Sequence, residues 1–385
     1  MKKKIMKEKA SKTALVLSGG GSKGAYEAGV WQALTELGKN IDMVYGTSVG
    51  AINGAMVAQG DLEKTVQLWR EIQTHMIFDV PEGFQSLDYA KEIIANKGAG
   101  TTGLKKLMEQ YFSEEKIRQS NVDFGVVTVE LSTLTPHYVY IDDMKPGQLI
   151  DYVMASSSLF PALHSYKIEG REFIDGGYAD VMPVSMAVKK GATEIIAVYL
   201  RGVGLLDHKT LKNTPNLTII ESKWDLGSSL IFDTTNARRI MRLGYLDTMK
   251  NCGVFDGEYF AFIKGSFDKT TAKMADAAAR LFALDPCILY SKESLLEHLK
   301  AAMDDPGEEL EASLSKYREK TLAVDALLEL AKDLKDIANK QLVTLLIAEN
   351  LKEKGDASIF AGRTVSKLFK EYIRAGKFLV KYDLV

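Results

Sequence analysis

The chain has 385 residues, 46% of them hydrophobic and 26% charged, a balance that excludes a mainly disordered protein and suits one large domain or two ordinary ones. Lys and Arg number 49 against 51 Asp and Glu, a net charge of −2, so the basic excess of a nucleic-acid binder is missing. Cys252 and Cys287 cannot make a disulfide framework and fit no common zinc spacing. The five histidines are scattered, and no apolar run reaches membrane-spanning length.

Six lysines fall within the first 12 residues, with no apolar segment after them to make a secretory signal. This stretch reads as a solvated tail or as a weak attractor of anionic lipid. Thr13–Ser18 then predicts a short buried strand. It runs into Gly19-Gly-Gly-Ser-Lys-Gly24, and a helical pattern follows through Tyr26, Val30, Ala33, Leu34 and Leu37 to a stop at Gly38. Ile41–Tyr45 predicts a second strand, which Gly46-Thr-Ser-Val-Gly50 turns into a small-residue helix ending near Gln59. Strand, helix, strand, helix in succession predicts an α/β fold with a mostly parallel central sheet flanked by helices.

Residues 61–120 read as mostly helical, with a glycine-rich break at Lys97–Gly100. Further strands are expected at Phe124–Val129, His137–Ile141, Glu194–Leu200 and Asn216–Ile220. Tyr166–Ile174 has the alternation of a hairpin about Glu169-Gly170. The texture changes near Gly265 to Ala, Leu, Glu and Lys with helical periodicity. This predicts a flexible basic N-terminus over 1–12, a main domain over 13–265 and a helical C-terminal subdomain over 266–385. An apolar stripe from Val324 to Leu346 is either core packing or a face for membrane or oligomer contact.

Three motifs carry chemistry. Gly19-x-Gly21-x-x-Gly24 matches the dinucleotide fingerprint by letter, but Asp42 starts the second strand instead of ending it, and no Gly-Lys-Ser/Thr makes a P-loop. The general property of such a loop is backbone N–H groups converging on an anion, which can be a phosphate or a transient oxyanion. A nucleotide-binding α/β enzyme therefore stays open as an alternative, as does a non-hydrolytic lipid-binding scaffold.

Gly46-x-Ser48-x-Gly50 is the nucleophile-elbow pattern. Flanking glycines let a strand enter a helix within one turn, and the serine is left exposed at the tip with the Val49 N–H beside it. The plainer reading makes Ser48 or Thr47 a helix cap. A nucleophilic serine needs a proton acceptor. His298 lies in an ordinary helical run, His208 has no evident partner, and His164 precedes any following carboxylate in the wrong order. Phe173-Ile-Asp175-Gly-Gly177 places a carboxylate at a strand end and is the better candidate.

These three motifs, in this order and with Ala155-Ser-Ser-Ser-Leu-Phe-Pro161 between the second and third, resemble the patatin-like phospholipase family over residues 13–200 and at most to about 260. The sequence does not depart from the family pattern at these positions. The resemblance implies hydrolysis of acyl-ester lipids, phospholipid among them, by a Ser48–Asp175 dyad without histidine. It also implies an oxyanion hole from the loop Gly19, Gly20, Gly21, Ser22, Lys23 and Gly24 with Val49. No metal or other cofactor, no nucleic-acid partner, and a cytoplasmic enzyme with or without peripheral membrane contact are the accompanying expectations.

Overall fold

The computed structural model describes residues 11–80, 98–304, 337–355, 358, 360 and 369–385. The chain divides into two units, Met1–Thr248 and Met249–Val385.

The first unit begins with β1 (Thr13–Leu17), α1 (Ala25–Glu36), β2 (Met43–Thr47) and α2 (Val49–Gln59). β1 and β2 pair in parallel, from Ala14 opposite Met43 to Leu17 opposite Gly46. Every residue of both strands is buried. Strands covered on both faces read as continuous apolar runs, which is how they were visible in the sequence. α3 (Leu62–Glu71), α4 (Thr74–Ile77), α5 (Thr102–Tyr111) and α6 (Glu114–Gln119) lead to β3 (Asp123–Glu130). Next come β4 (Thr135–Tyr140), α7 (Leu149–Ser156), β5 (Tyr166–Ile168), β6 (Arg171–Asp175), α8 (Val184–Lys189), β7 (Glu194–Val198), α9 (His208–Asn213), β8 (Leu217–Ile220) and α10 (Thr234–Asn251).

The sheet order is β5-β6-β3-β2-β1-β7-β8, with β4 also paired to β3. β3, β2, β1, β7 and β8 run parallel, whereas β4 and β6 run antiparallel to β3. β5 and β6 form the expected hairpin, and its tip residues Glu169 and Gly170 have φ of 49° and 81°. One sheet face packs Ala14, Val16, Met43 and Tyr45 against Met186 and Ala187 of α8. The other carries α2, whose Gly54 leaves room for Val44 and Phe124. α1 and α10 touch through their backbones: a Cβ on Gly29 would lie 1.8 Å from the Met241 carbonyl, and one on Gly244 would lie 2.1 Å from that of Tyr26. The buried Tyr26 hydroxyl donates to Asp247 at 2.8 Å beside this crossing.

The second unit holds a three-stranded sheet in the order β11-β10-β9, made of β9 (Phe255–Asp256), β10 (Ala261–Ile263) and β11 (Leu289–Tyr290). Around it lie α11 (Lys269–Leu281), α12 (Lys292–Asp304), α13 (Ile337–Lys354) and α14 (Lys370–Lys381), with α14 packed on α11 and α13. Asp276 of α11 accepts the backbone N–H groups of Glu258, Tyr259 and Phe260 at 2.7, 3.1 and 2.8 Å. β9 and β10 thus belong with this unit, and the division at Thr248 falls earlier than the change of texture at Gly265. Of the apolar stripe, Leu342, Leu345 and Leu346 are buried; the side chains at 324–338 lie outside the described residues, as does the basic N-terminus through residue 10.

Candidate active site

Ser48 sits between the last residue of β2 and the first of α2 with φ 58° and ψ −126°. A left-handed φ is unusual for a residue with a side chain, and it persists only where neighbours over-determine it. Two glycines do so here. A Cβ on Gly46 would lie 2.1 Å from the Gly50 carbonyl, and one on Gly50 would lie 2.3 Å from that of Leu17. The Ser48 N–H donates to Ser156 Oγ at 2.9 Å, and the preceding Thr47 hydroxyl donates to the Asp180 carbonyl at 2.8 Å. Ser48 is thus a strained turn residue and not a side-chain cap: its side chain makes no capping hydrogen bond.

Asp175 ends β6, antiparallel to β3, opposite Thr128. It is 3% exposed, and its carboxylate accepts the Gly177 N–H at 2.7 Å. Burial pushes the Asp175 carboxyl up to about 6, against the pull of the nearby Ser48 hydroxyl and the Gly177 N–H. Its backbone N–H donates to the Ser158 carbonyl at 2.8 Å. The Ala155–Pro161 segment therefore holds both candidates, Ser156 the elbow and Ser158 the aspartate. That role was invisible in the sequence, where the segment stood out only by its letters.

The glycine loop divides into two parts. Gly19, Gly20 and Gly21 line one cavity with Ser48, Val49 and Asp175. The Gly19 N–H is occupied by the Val181 carbonyl at 2.9 Å, while those of Gly20, Gly21 and Val49 have no hydrogen-bond partner among the described residues. Ser22, Lys23 and Gly24 stand off the cavity and hold the loop. Ser22 donates its N–H to Ser229 at 2.9 Å and its hydroxyl to the Ser228 carbonyl at 2.5 Å. Lys23 faces a separate pocket beside Trp224. Gly24 lies against Val49 and Trp69, with its carbonyl accepting Asn53 Nδ2 at 3.0 Å.

Asn53 is a residue that motif reading missed. Its side chain also donates to the buried Glu27 Oε2 at 2.8 Å and accepts Trp69 Nε1 at 2.9 Å. Among the described residues Glu27 Oε1 has no hydrogen-bond partner, and burial drives this carboxyl well above its ordinary range. The signal in the sequence was faint: an acid and an amide on helices otherwise made of apolar and small residues.

The cavity holds about 1030 Å³ of empty space, its open mouth included, and its wall is mostly apolar, with Ile52, Met56, Trp69, Leu104, Met108 and Phe232 among its residues. That apolar wall suits an apolar ligand. None of the five histidines lines it. His298 is exposed on α12, its Nδ1 at 2.7 Å from the Ser294 carbonyl. Asp42 lies at the opposite end of the sheet from the glycine loop, where Oδ2 accepts the Thr13 N–H at 2.8 Å. It is therefore not placed as a ribose ligand would be.

The domain is thus an α/β fold with a mostly parallel sheet, a serine elbow at the end of one strand, and a glycine loop and a strand-end aspartate on the same cavity. Residues 15–188 match the family model for patatin-like phospholipase. The chain is 31% identical over 207 residues to rat patatin-like phospholipase domain-containing protein 7, covering 52% of this chain and 14% of that protein. It is 32% identical over 191 residues to human patatin-like phospholipase domain-containing protein 6, covering 48% and 13%. It is 28% identical over 253 residues to lysophospholipase nte1 of Aspergillus terreus, covering 62% and 15%. The chain thus spans about a seventh of the length of these curated relatives. Among solved structures, VipD from Legionella pneumophila aligns over 98% of this chain and 92% of its own at 14% identity and a TM-score of 0.43.

Proposed function

We propose that this chain is a lipid acyl hydrolase of phospholipase A, lysophospholipase or carboxylesterase type, acting through Ser48 and Asp175. The observation that carries the reading is the placement of the strained Ser48 and the buried Asp175 together on the wall of one apolar cavity. Asp175 accepts the Ser48 proton as Oγ attacks the ester carbonyl. The oxyanion is held by the unpaired N–H groups of Gly20, Gly21 and Val49, each such donor being worth about 3 kcal/mol. Collapse passes that proton from Asp175 to the leaving oxygen, releases the alcohol and leaves an acyl-Ser48, with the acyl chain in the cavity. Water activated by Asp175 then releases the fatty acid. An aspartate near 6 is a better base at neutral pH than one at its ordinary value, because its pKa lies closer to the working pH. The phospholipase and lysophospholipase names of the curated relatives support an ester-lipid substrate.

The test is hydrolysis of p-nitrophenyl butyrate, with a fluorophosphonate probe to report the modified residue. Ser48→Ala is expected to lower kcat by about 10⁴-fold or more and to abolish labelling. Asp175→Asn should lower kcat by orders of magnitude. His164→Ala and His298→Ala should stay within a few-fold of wild type. Wild-type turnover in Ser48→Ala, or a histidine change as damaging as the aspartate change, rejects the dyad.

A further inference from the structure

The cavity mouth is edged by a short segment with an unusual construction. Val203 lines the cavity and is also 81% exposed, so it stands at the opening. It is flanked by Gly202 and Gly204, and both are demanded by close backbone approach. A Cβ on Gly202 would lie 2.1 Å from the Gly19 carbonyl, and one on Gly204, whose φ is 157°, would lie 2.6 Å from that of Gly177. The segment is therefore wedged between the glycine loop and the turn after Asp175. Leu205 follows at 61% exposure, although its backbone is fully used: its N–H donates to Gly177 at 2.9 Å and its carbonyl accepts Val181 at 2.8 Å. Tyr178, in that same turn, is 44% exposed and donates its hydroxyl to the carbonyl of Phe160, itself 39% exposed.

A single exposed Leu means nothing, but Val203 at the mouth, Leu205 bonded to the turn that carries Tyr178, and Tyr178 bonded to Phe160 form one exposed apolar patch. On the flank Arg201 pairs with Glu221 and Asp207 caps α9, which carries the exposed Lys209 and Lys212. We infer that Phe160, Tyr178, Val203 and Leu205 form a docking rim that seats the cavity mouth on a phospholipid bilayer, with Lys209 and Lys212 adding attraction to anionic headgroups. The occupant is a lipid surface because the rim is continuous with the cavity assigned to the acyl chain, an assignment that rests on the lipid-hydrolase reading. A shallow apolar rim with flanking cations is the chemistry of reversible interfacial binding. An ester entering from such a surface passes from acyl layer to apolar wall without crossing water.

The experiment is co-sedimentation of the full chain with vesicles of phosphatidylcholine alone and of phosphatidylcholine with 30 mol% phosphatidylglycerol (about 3:7 anionic to neutral, enough for a strong surface potential), run beside p-nitrophenyl butyrate hydrolysis. Leu205 does not line the cavity, so Leu205→Asp is expected to bind both vesicles about tenfold more weakly or worse while hydrolysing the soluble ester within twofold of wild type. Leu205→Trp, which enlarges the rim, is expected to bind more tightly, and it keeps the test decisive if the aspartate variant fails to fold. Lys209→Glu with Lys212→Glu should weaken binding to the anionic vesicles alone. Wild-type affinity in both Leu205 variants, or no vesicle binding by the wild type, overturns the docking rim and leaves the hydrolase intact. Vesicle binding without ester hydrolysis overturns the hydrolase instead.

Discussion

At the scale of single residues, the site works against stability. Asp175 and Glu27 are carboxyls that burial holds above their ordinary range. Each binds its proton more tightly in the folded chain than in the unfolded one. The stability linked to it is fully present below the unfolded pKa and is lost as pH rises through the folded value. For Asp175 that window runs from 3.8 to about 6, which corresponds to about 3 kcal/mol. Activity moves the other way, since only the ionised aspartate accepts a proton. The kcat/KM for a soluble ester should therefore rise through pH 6 to a plateau while the melting temperature falls. Asp175→Asn should melt above wild type at pH 8, and the gap should close near pH 4; calorimetry across that range reads it directly. An equal gap at both ends would mean that the asparagine changes packing and not ionisation. Trp69→Phe removes the donor to Asn53 Oδ1 in a buried network, along with part of a ring stacked on Phe232. Leaving that acceptor unpaired should cost about 1–3 kcal/mol in a denaturant titration.

At the scale of elements, the sequence was most readable where structure is local. β1, the glycine loop, the elbow and α2 follow one another along the chain, and each declares itself by composition and spacing. The β5–β6 hairpin was readable for the same reason. The path by which Asp175 reaches Ser48 was not: it depends on β6 pairing antiparallel to β3, beside the parallel β2, and strand pairing across such separations leaves no periodic trace. Val203 reads as an ordinary loop residue until Gly202 and Gly204 are seen pressed against backbone. The two-residue strand β11 is too short to give an alternating signal, so the region after Gly265 looked helical. Its pairing has a practical consequence. A chain ending at Gly265 keeps β9 and β10 but loses β11 and α11, exposing Phe260 and Phe262, both 0% exposed in the full chain. It should aggregate on size exclusion, whereas a chain ending at Gly253 carries no such strands and should be the more soluble of the two. The reverse order would place β9 and β10 with the first unit.

At the scale of the molecule, the proposed nucleophile and its proposed partner are spaced by the sheet itself. Thr47, just before Ser48, lies opposite Val127 of β3, and the next residue of β3, Thr128, lies opposite Asp175. The two side chains that meet are carried on strands with one strand between them, about two rungs of 4.8 Å apart. Loop motion cannot change that separation without breaking the backbone ladder, and the ladder belongs to the part of the domain that opens last. Many sites built on loops lose turnover well before their protein melts. Here thermal inactivation should instead track the collapse of the sheet, so a heated sample should stay competent until it cooperatively unfolds, and the inactivation curve should overlie the near-ultraviolet dichroism melt.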